Sequence, residues 1–130
     1  MTVRLRRLNW LLAASFLALA LLVAPLAARE LGEAHLSARA MHHILARHGP
    51  LSHAADAGHF APGTTPAQIR ALIETAVREG VPHADTGNRP STLYDYTFPE
   101  PIGFTAEGRP TRRLRVVVGY DGEVITAYPR

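Results

Sequence analysis

Residues 113–129 read RLRVVVGYDGEVITAYP, two strand-forming runs separated by Asp121 and Gly122. Asp-Gly in that setting is the signature of a β-hairpin with a two-residue type I′ turn. The turn sets a register in which Tyr120 faces Glu123, Val118 faces Ile125, Val116 faces Ala127 and Arg115 faces Tyr128. Side chains alternate across a strand, so one face carries Leu114, Val116, Val118, Tyr120, Ile125 and Ala127, and this is a core face. The other carries Arg113, Arg115, Val117, Val124, Thr126 and Tyr128. Two guanidinium groups, a hydroxyl and a phenol on one rigid sheet suit the handling of an anion. The same residue types are also ordinary on a solvated sheet face, where Thr and Tyr have high strand propensity.

The rest of the chain limits what this hairpin can pack against. A length of 130 residues supports one domain, and the N-terminus takes a share of it. Arg4, Arg6 and Arg7 precede an apolar run over residues 10–28 that only Ser15 and Pro25 interrupt. A basic flank, a Leu/Ala-rich stretch and small residues at Ala27 and Ala28 fit a secretory signal. The run also approaches the ~20 apolar residues of a membrane-spanning helix. Residues 1–28 are therefore expected to form a signal peptide or a membrane anchor, an N-terminal helix preceding a domain at 34–130. With the positive flank held in the cytoplasm, that domain is exported: periplasmic, anchored at the inner membrane, or secreted. A helix apolar all round has no core to hide in within so small a domain.

The sequence contains no cysteine, which excludes disulfides, thiol nucleophiles and Cys-based zinc sites. The net charge of +3 and the seven histidines favour a polyanionic partner, more so in a mildly acidic compartment.

Within the exported part, residues 34–48 predict a helix stopped by Gly49 and Pro50, with Met41, Ile44, Leu45 and His48 on one stripe. His48 then ends the buried face and His43 lies on the far side. Residues 51–65 and 81–90 read as loops. Between them, Thr65 caps a second helix with Pro66 at its first position, and Ile69, Leu72, Ile73 and Ala76 form its apolar stripe. Strand-like residues follow at 93–98 and 102–105, before Gly108 and Pro110 turn the chain into the hairpin. Helices followed by strands imply an α+β fold, two helices packed on one face of a small antiparallel sheet that ends in the hairpin. The Arg/Thr/Tyr face is left open.

No G-x-S-x-G elbow or glycine-rich phosphate loop is present. His43 and His48 do not share the i, i+4 face of a helical zinc pair, so no metal and no cofactor is expected; His53, Asp56 and His59 are the residues a loop metal site would use. Metal-free phosphodiester transfer in RNA needs a base for the 2′-hydroxyl, an acid for the leaving oxygen, and cations or donors at the phosphorane. Histidine suits the proton transfers, and the planar fork of arginine matches phosphate oxygens. His43, His48, Arg115, Thr126 and Tyr128 make up such a set. His48 alternatively caps its own helix C-terminus, and Arg89 in the TGNRP loop is a candidate phosphate contact.

The segments HHILARHG, GHFAPGTTPAQIRALIETAVREG and PIGFTAEGRPTRRLRVVVGYDGEVITAYP resemble the C-terminal toxin domains of bacterial polymorphic and contact-dependent inhibition systems. They are similar in particular to the barnase, EndoU, colicin nuclease and RelE-like group of metal-independent ribonucleases. The H-I-L motif and the terminal T-x-Y-P resemble bacterial EndoU-type nucleases, over about residues 42–129. The resemblance implies a catalytic histidine pair at His43 and His48, Arg115 assisted by Arg113, hydroxyls at Thr126 and Tyr128, and Thr111 as a secondary contact. Such nucleases carry a further histidine or lysine after a glycine-rich loop, and His59 in AGHF is in the comparable place. Which two of His43, His48 and His59 act as base and acid stays open. The implied activity is endoribonuclease, with RNA as substrate, a cognate immunity protein as partner, and the membrane as a further partner if residues 1–28 are retained. The alternatives are a non-catalytic envelope module that binds through the same face, and a periplasmic metal-binding protein.

Overall fold

The computed structural model describes residues 34–130, and the expected signal or anchor at 1–28 lies outside them. The described part is an α+β fold, two helices packed against two small antiparallel sheets.

Helix α1 spans Ala38–His48. It starts later than the expected residue 34 because Ser37 caps it, its hydroxyl accepting the Ala40 N–H at 3.1 Å. His35, two residues before Ser37, is drawn into a backbone bridge instead. Its N–H donates to the Gly122 carbonyl and its carbonyl accepts from Val124, both at 2.9 Å. Met41, Ile44 and His48 are buried as the stripe requires. Helix α2 spans Pro66–Glu79 and begins with the expected Thr65 cap, closed into a capping box by Gln68. Ile69, Ile73, Ala76 and Val77 form its buried side.

Seven strands follow in chain order: β1 (His59–Phe60), β2 (Val81–Asp85), β3 (Ser91–Thr97), β4 (Gly103–Phe104), β5 (Pro110–Thr111), β6 (Arg113–Gly119) and β7 (Val124–Pro129). The larger sheet has the order β2-β3-β6-β7 and the smaller one β1-β4-β5. Strands β1 and β2 correct the reading of residues 51–65 and 81–90 as loops. Four of the five β2 residues are exposed, so no alternation marks the strand, and an edge position tolerates Pro82. One apolar cluster joins Met41, Ile44, Ile69 and Ile73 to Leu114, Val116, Val118, Val124 and Ala127. Both helices therefore cover the same face of β6 and β7.

The hairpin has its expected register at the far end, Arg115 with Tyr128 and Val116 with Ala127, but not at the turn. Gly119 donates to the Glu123 carbonyl at 2.8 Å and Gly122 donates to the Gly119 carbonyl at 2.9 Å. The loop is thus three residues long, with only Gly122 at positive φ, +82°, a type I turn closed by a left-handed glycine. A bulge beyond Val117 absorbs the extra residue, so Val118 pairs with Val124. The core face is corrected accordingly: Val124 is buried, Ile125 is half-buried, and Tyr120 is 79% exposed.

Candidate functional site

Cross-strand partners share a face, and the register places Asp95, Arg115 and Tyr128 side by side across β3, β6 and β7, with Leu93, Val117 and Thr126 in the next row. Arg113 and Arg130 follow at the end of the sheet, joined by a backbone bond from the Arg130 N–H to the Arg113 carbonyl at 3.0 Å. Arg115, Thr126 and Tyr128 do lie together on the open face. The Arg115 fork, however, is filled: Nε and Nη2 donate to the two carboxylate oxygens of Asp95 at 2.8 and 2.7 Å. His83 Nε2 and Arg130 Nη1 stand 3.6 and 3.8 Å from the same carboxylate. The Arg115 bonds hold the Asp95 carboxyl below the ordinary range. Asp95 in turn holds Arg115 protonated well above its ordinary range, with Tyr128 a smaller cause.

His48, at the last turn of α1, reaches this face at Tyr128. The two rings are 5.2 Å apart and inclined by 30°, and the His43 ring approaches His48 edge-on at 6.4 Å. His48 does not cap its own helix. Its Nδ1 lies 2.9 Å from the Gly58 carbonyl oxygen, which can only accept, so the proton sits on Nδ1 and neutral His48 keeps a lone pair on Nε2. Burial lowers the His48 pKa from 6.5 against the opposing pull of the Gly58 bond, and the nearby charges of Arg47, His43 and His59 add to the lowering. Glycine is needed at position 58, since a Cβ there would stand 1.9 Å from the Pro129 carbonyl oxygen. This close passage brings the carbonyl to His48.

Among the described residues, the buried side-chain polar atoms that make no hydrogen bond are His59 Nε2, Thr126 Oγ1 and Arg130 Nη1, the last held only in its longer ion pair with Asp95. They come from β1, β7 and the residue after β7, and β1 packs against β7. Unpaired buried polar groups cost free energy, so each of these atoms is a donor or acceptor that a polar ligand could satisfy. A groove of about 470 Å³ is lined by His48, Tyr128 and Arg130 with Arg47, Asp56, Thr105 and Glu107.

The other expected residues divide. His43 is exposed on α1 beside His48. Thr111 serves the fold, donating to the Arg130 carbonyl at 2.6 Å and accepting the Arg113 N–H at 3.2 Å. Arg113 is exposed at the end of the sheet, and Arg89 lines a different groove, with His43. Asp56 pairs with Arg47 at 3.5 Å, and no three His, Asp or Glu side chains among the described residues gather as a metal site would require. No helix among them is long and apolar enough to cross a membrane. Asp95, Arg130 and Gly58 were not among the expected site residues. The alternation of STLYDYT does place Asp95 opposite Tyr94 and Tyr96, but its pairing with Arg115 needs the β3–β6 register.

No family model matches the chain, and no curated protein or solved structure matches it.

Proposed function

We propose that residues 34–130 form a metal-independent endoribonuclease domain. The observation that carries this reading is the pairing of His48, whose tautomer leaves Nε2 free as a base, with the Tyr128 ring on a groove that Arg130 also lines. In this reading Nε2 of His48 takes the ribose 2′-hydroxyl proton. The 2′-oxygen forms a bond to the adjacent phosphorus as the bond to the 5′-oxygen breaks. A second histidine returns a proton to that leaving oxygen; His59, with its Nε2 buried and unpartnered, is our choice over the exposed His43. The products are a 2′,3′-cyclic phosphate and a 5′-hydroxyl end. Thr126 Oγ1 and Arg130 Nη1 donate to the phosphorane oxygens, as preorganised donors do where charge develops. Tyr128 positions the nucleoside. Arg115 moves from phosphate contact to the support of Tyr128, because Asp95 occupies its fork. All 14 basic side chains apart from histidine are arginines, the cation best matched to phosphate. A toxin of this kind would be exported through its N-terminal segment and held by an immunity protein with an acidic surface.

The filled Arg115 fork favours a second reading, an envelope-located binding module without catalysis. The two are separated by incubating the purified full-length chain with tRNA and total RNA in EDTA. Cleavage leaving 2′,3′-cyclic phosphate ends, lost in His48→Ala and Tyr128→Phe, is the expected result. Intact RNA, or cleavage indifferent to both substitutions, would exclude the ribonuclease.

A further inference from the structure

His43 lines a second groove, of about 330 Å³, together with Arg39, Arg89, Asp121 and Glu123. The His35 backbone bridge clips the segment before α1 onto the hairpin, and Arg39 and Glu123 line the groove between them. Arg89 arrives from the loop between β2 and β3. The volume is at the small end of ligand pockets. The two carboxylates differ in availability. Asp121 Oδ1 accepts the Glu123 N–H at 3.0 Å and belongs to the turn. Among the described residues, the ion-pair partner of the Glu123 carboxylate is His35 Nε2, at 3.9 Å between two side chains that are more than half exposed. Arg39 and Arg89 form no ion pair among the described residues.

We propose that this groove binds the nucleoside adjoining the cleaved phosphate and selects a base that carries an exocyclic amine, cytosine before uracil. The proposal rests on the ribonuclease reading. The His43 and His48 rings are 6.4 Å apart, so RNA engaged at His48 has its neighbouring nucleotide beside His43. A carboxylate repels phosphate and accepts hydrogen bonds, so the group facing Glu123 must be a donor. Cytosine offers its N4 amine there, whereas the corresponding position of uracil is a carbonyl. Arg39 and Arg89 then hold the flanking phosphates. The groove contains no Phe, Tyr or Trp side chain, so apart from the His43 ring recognition falls to base edges.

The test is fluorescence anisotropy of the full-length chain with labelled 2′-O-methyl hexamers of cytidine or uridine, which lack the attacking hydroxyl and cannot be cleaved. The cytidine hexamer should bind about fivefold tighter than the uridine hexamer, the low end of discrimination by one base contact. Glu123→Gln should abolish that difference, because an amide donates as well as accepts. Arg39→Ala with Arg89→Ala should weaken both hexamers and reduce the log–log salt slope by about 1.4. The three side chains are exposed, so an unchanged circular dichroism spectrum is the expected folding control. Equal binding of the two hexamers, or a preference that survives Glu123→Gln, overturns the subsite while RNA cleavage by the wild type still upholds the nuclease. Absence of both RNA cleavage and hexamer binding removes the nuclease reading and the subsite with it.

Discussion

The Asp95 carboxylate closes the Arg115 fork with two bonds of 2.8 and 2.7 Å, and it does so where Arg115 faces Tyr128 across the hairpin. The side chains are 16% and 22% exposed, so the pair is shielded from water on a sheet face that otherwise carries cations. Removing one partner leaves the other half-buried and unmatched. Asp95→Asn should lower the unfolding free energy by about 1–3 kcal/mol at neutral pH. The folded Asp95 pKa is held below its reference of 3.8, so its contribution is complete above that value and lost as pH falls through the lower folded pKa. The gap between wild type and variant, measured by urea denaturation, should therefore narrow from pH 7 to pH 2. A gap independent of pH would show that the carboxylate charge is not what stabilises the face.

His48 has the opposite linkage. Its pKa is lowered from 6.5, first by burial, so the unfolded chain takes up the proton more readily than the folded one. The stabilisation from neutral His48 is complete above pH 6.5 and declines as pH falls from there toward the folded pKa. His48→Gln should be less stable at pH 7 yet show a flatter decline between pH 7 and pH 5. If His48 is the base in RNA cleavage, the acid limb of kcat/KM should titrate below 6.5. An acid limb above that value would assign the base elsewhere.

The parts legible from sequence were those governed by local pattern. Thr65 and Pro66 set the start of α2, and the stripe of Met41, Ile44 and His48 set the buried side of α1. The far end of the hairpin followed from alternation and put Arg115 beside Tyr128. What escaped depended on contacts between distant segments. The His35 bridge to the hairpin both delays α1 and fixes the backbone around Glu123, and nothing near His35 in sequence announces it. Strand β2 is exposed along most of its length and leaves no hydrophobic signature. Asp95 acquires its meaning only from the β3–β6 register, and Gly58 only from its approach to Pro129.

The turn shows how a correct local signal can mislead. Asp-Gly suits a type I′ turn, in which Asp must adopt positive φ, but it equally suits a type I turn followed by a left-handed glycine. The second is adopted, with Asp121 spared the strain and its Oδ1 accepting the Glu123 N–H. Asp121→Gly should therefore destabilise the chain, by roughly 0.5–1.5 kcal/mol, through the lost bond and added unfolded-state entropy. A type I′ turn would give the opposite sign. Gly122→Ala should cost about 1 kcal/mol for placing a Cβ at φ +82°. Thermal and urea denaturation of the two variants measure both signs.

Gly58 provides a test of how the site is held. A Cβ there would stand 1.9 Å from the Pro129 carbonyl oxygen and 3.1 Å from that of Phe104, both backbone atoms. Gly58→Ala must push β1 and the end of β7 apart, taking with it the carbonyl that fixes the His48 tautomer. We expect a loss above about 3 kcal/mol, the range of buried steric clashes. An exposed control in the same loop, Ala55→Ser, should change stability by less than about 0.5 kcal/mol. Equal melting temperatures for Gly58→Ala and wild type would contradict the close approach.

Thr126 separates stability from function most directly. Its Oγ1 is buried without a hydrogen-bond partner among the described residues, a condition that costs the fold roughly 1–3 kcal/mol if nothing completes it. Valine has nearly the same shape and the same β-branched fit to a strand, so Thr126→Val removes the unpaired hydroxyl and leaves the packing against Val117 and Tyr128 intact. The variant should be as stable as the wild type or more so by about 1 kcal/mol. If the hydroxyl instead serves a phosphorane oxygen, the same substitution should reduce kcat/KM for RNA by about 10²-fold, the scale of losing one preorganised donor, and Thr126→Ser should restore most of it. Stability rising while cleavage falls is the outcome a binding group requires. Stability falling with cleavage unchanged would make the hydroxyl part of the fold and leave the proposed site without its donor from β7.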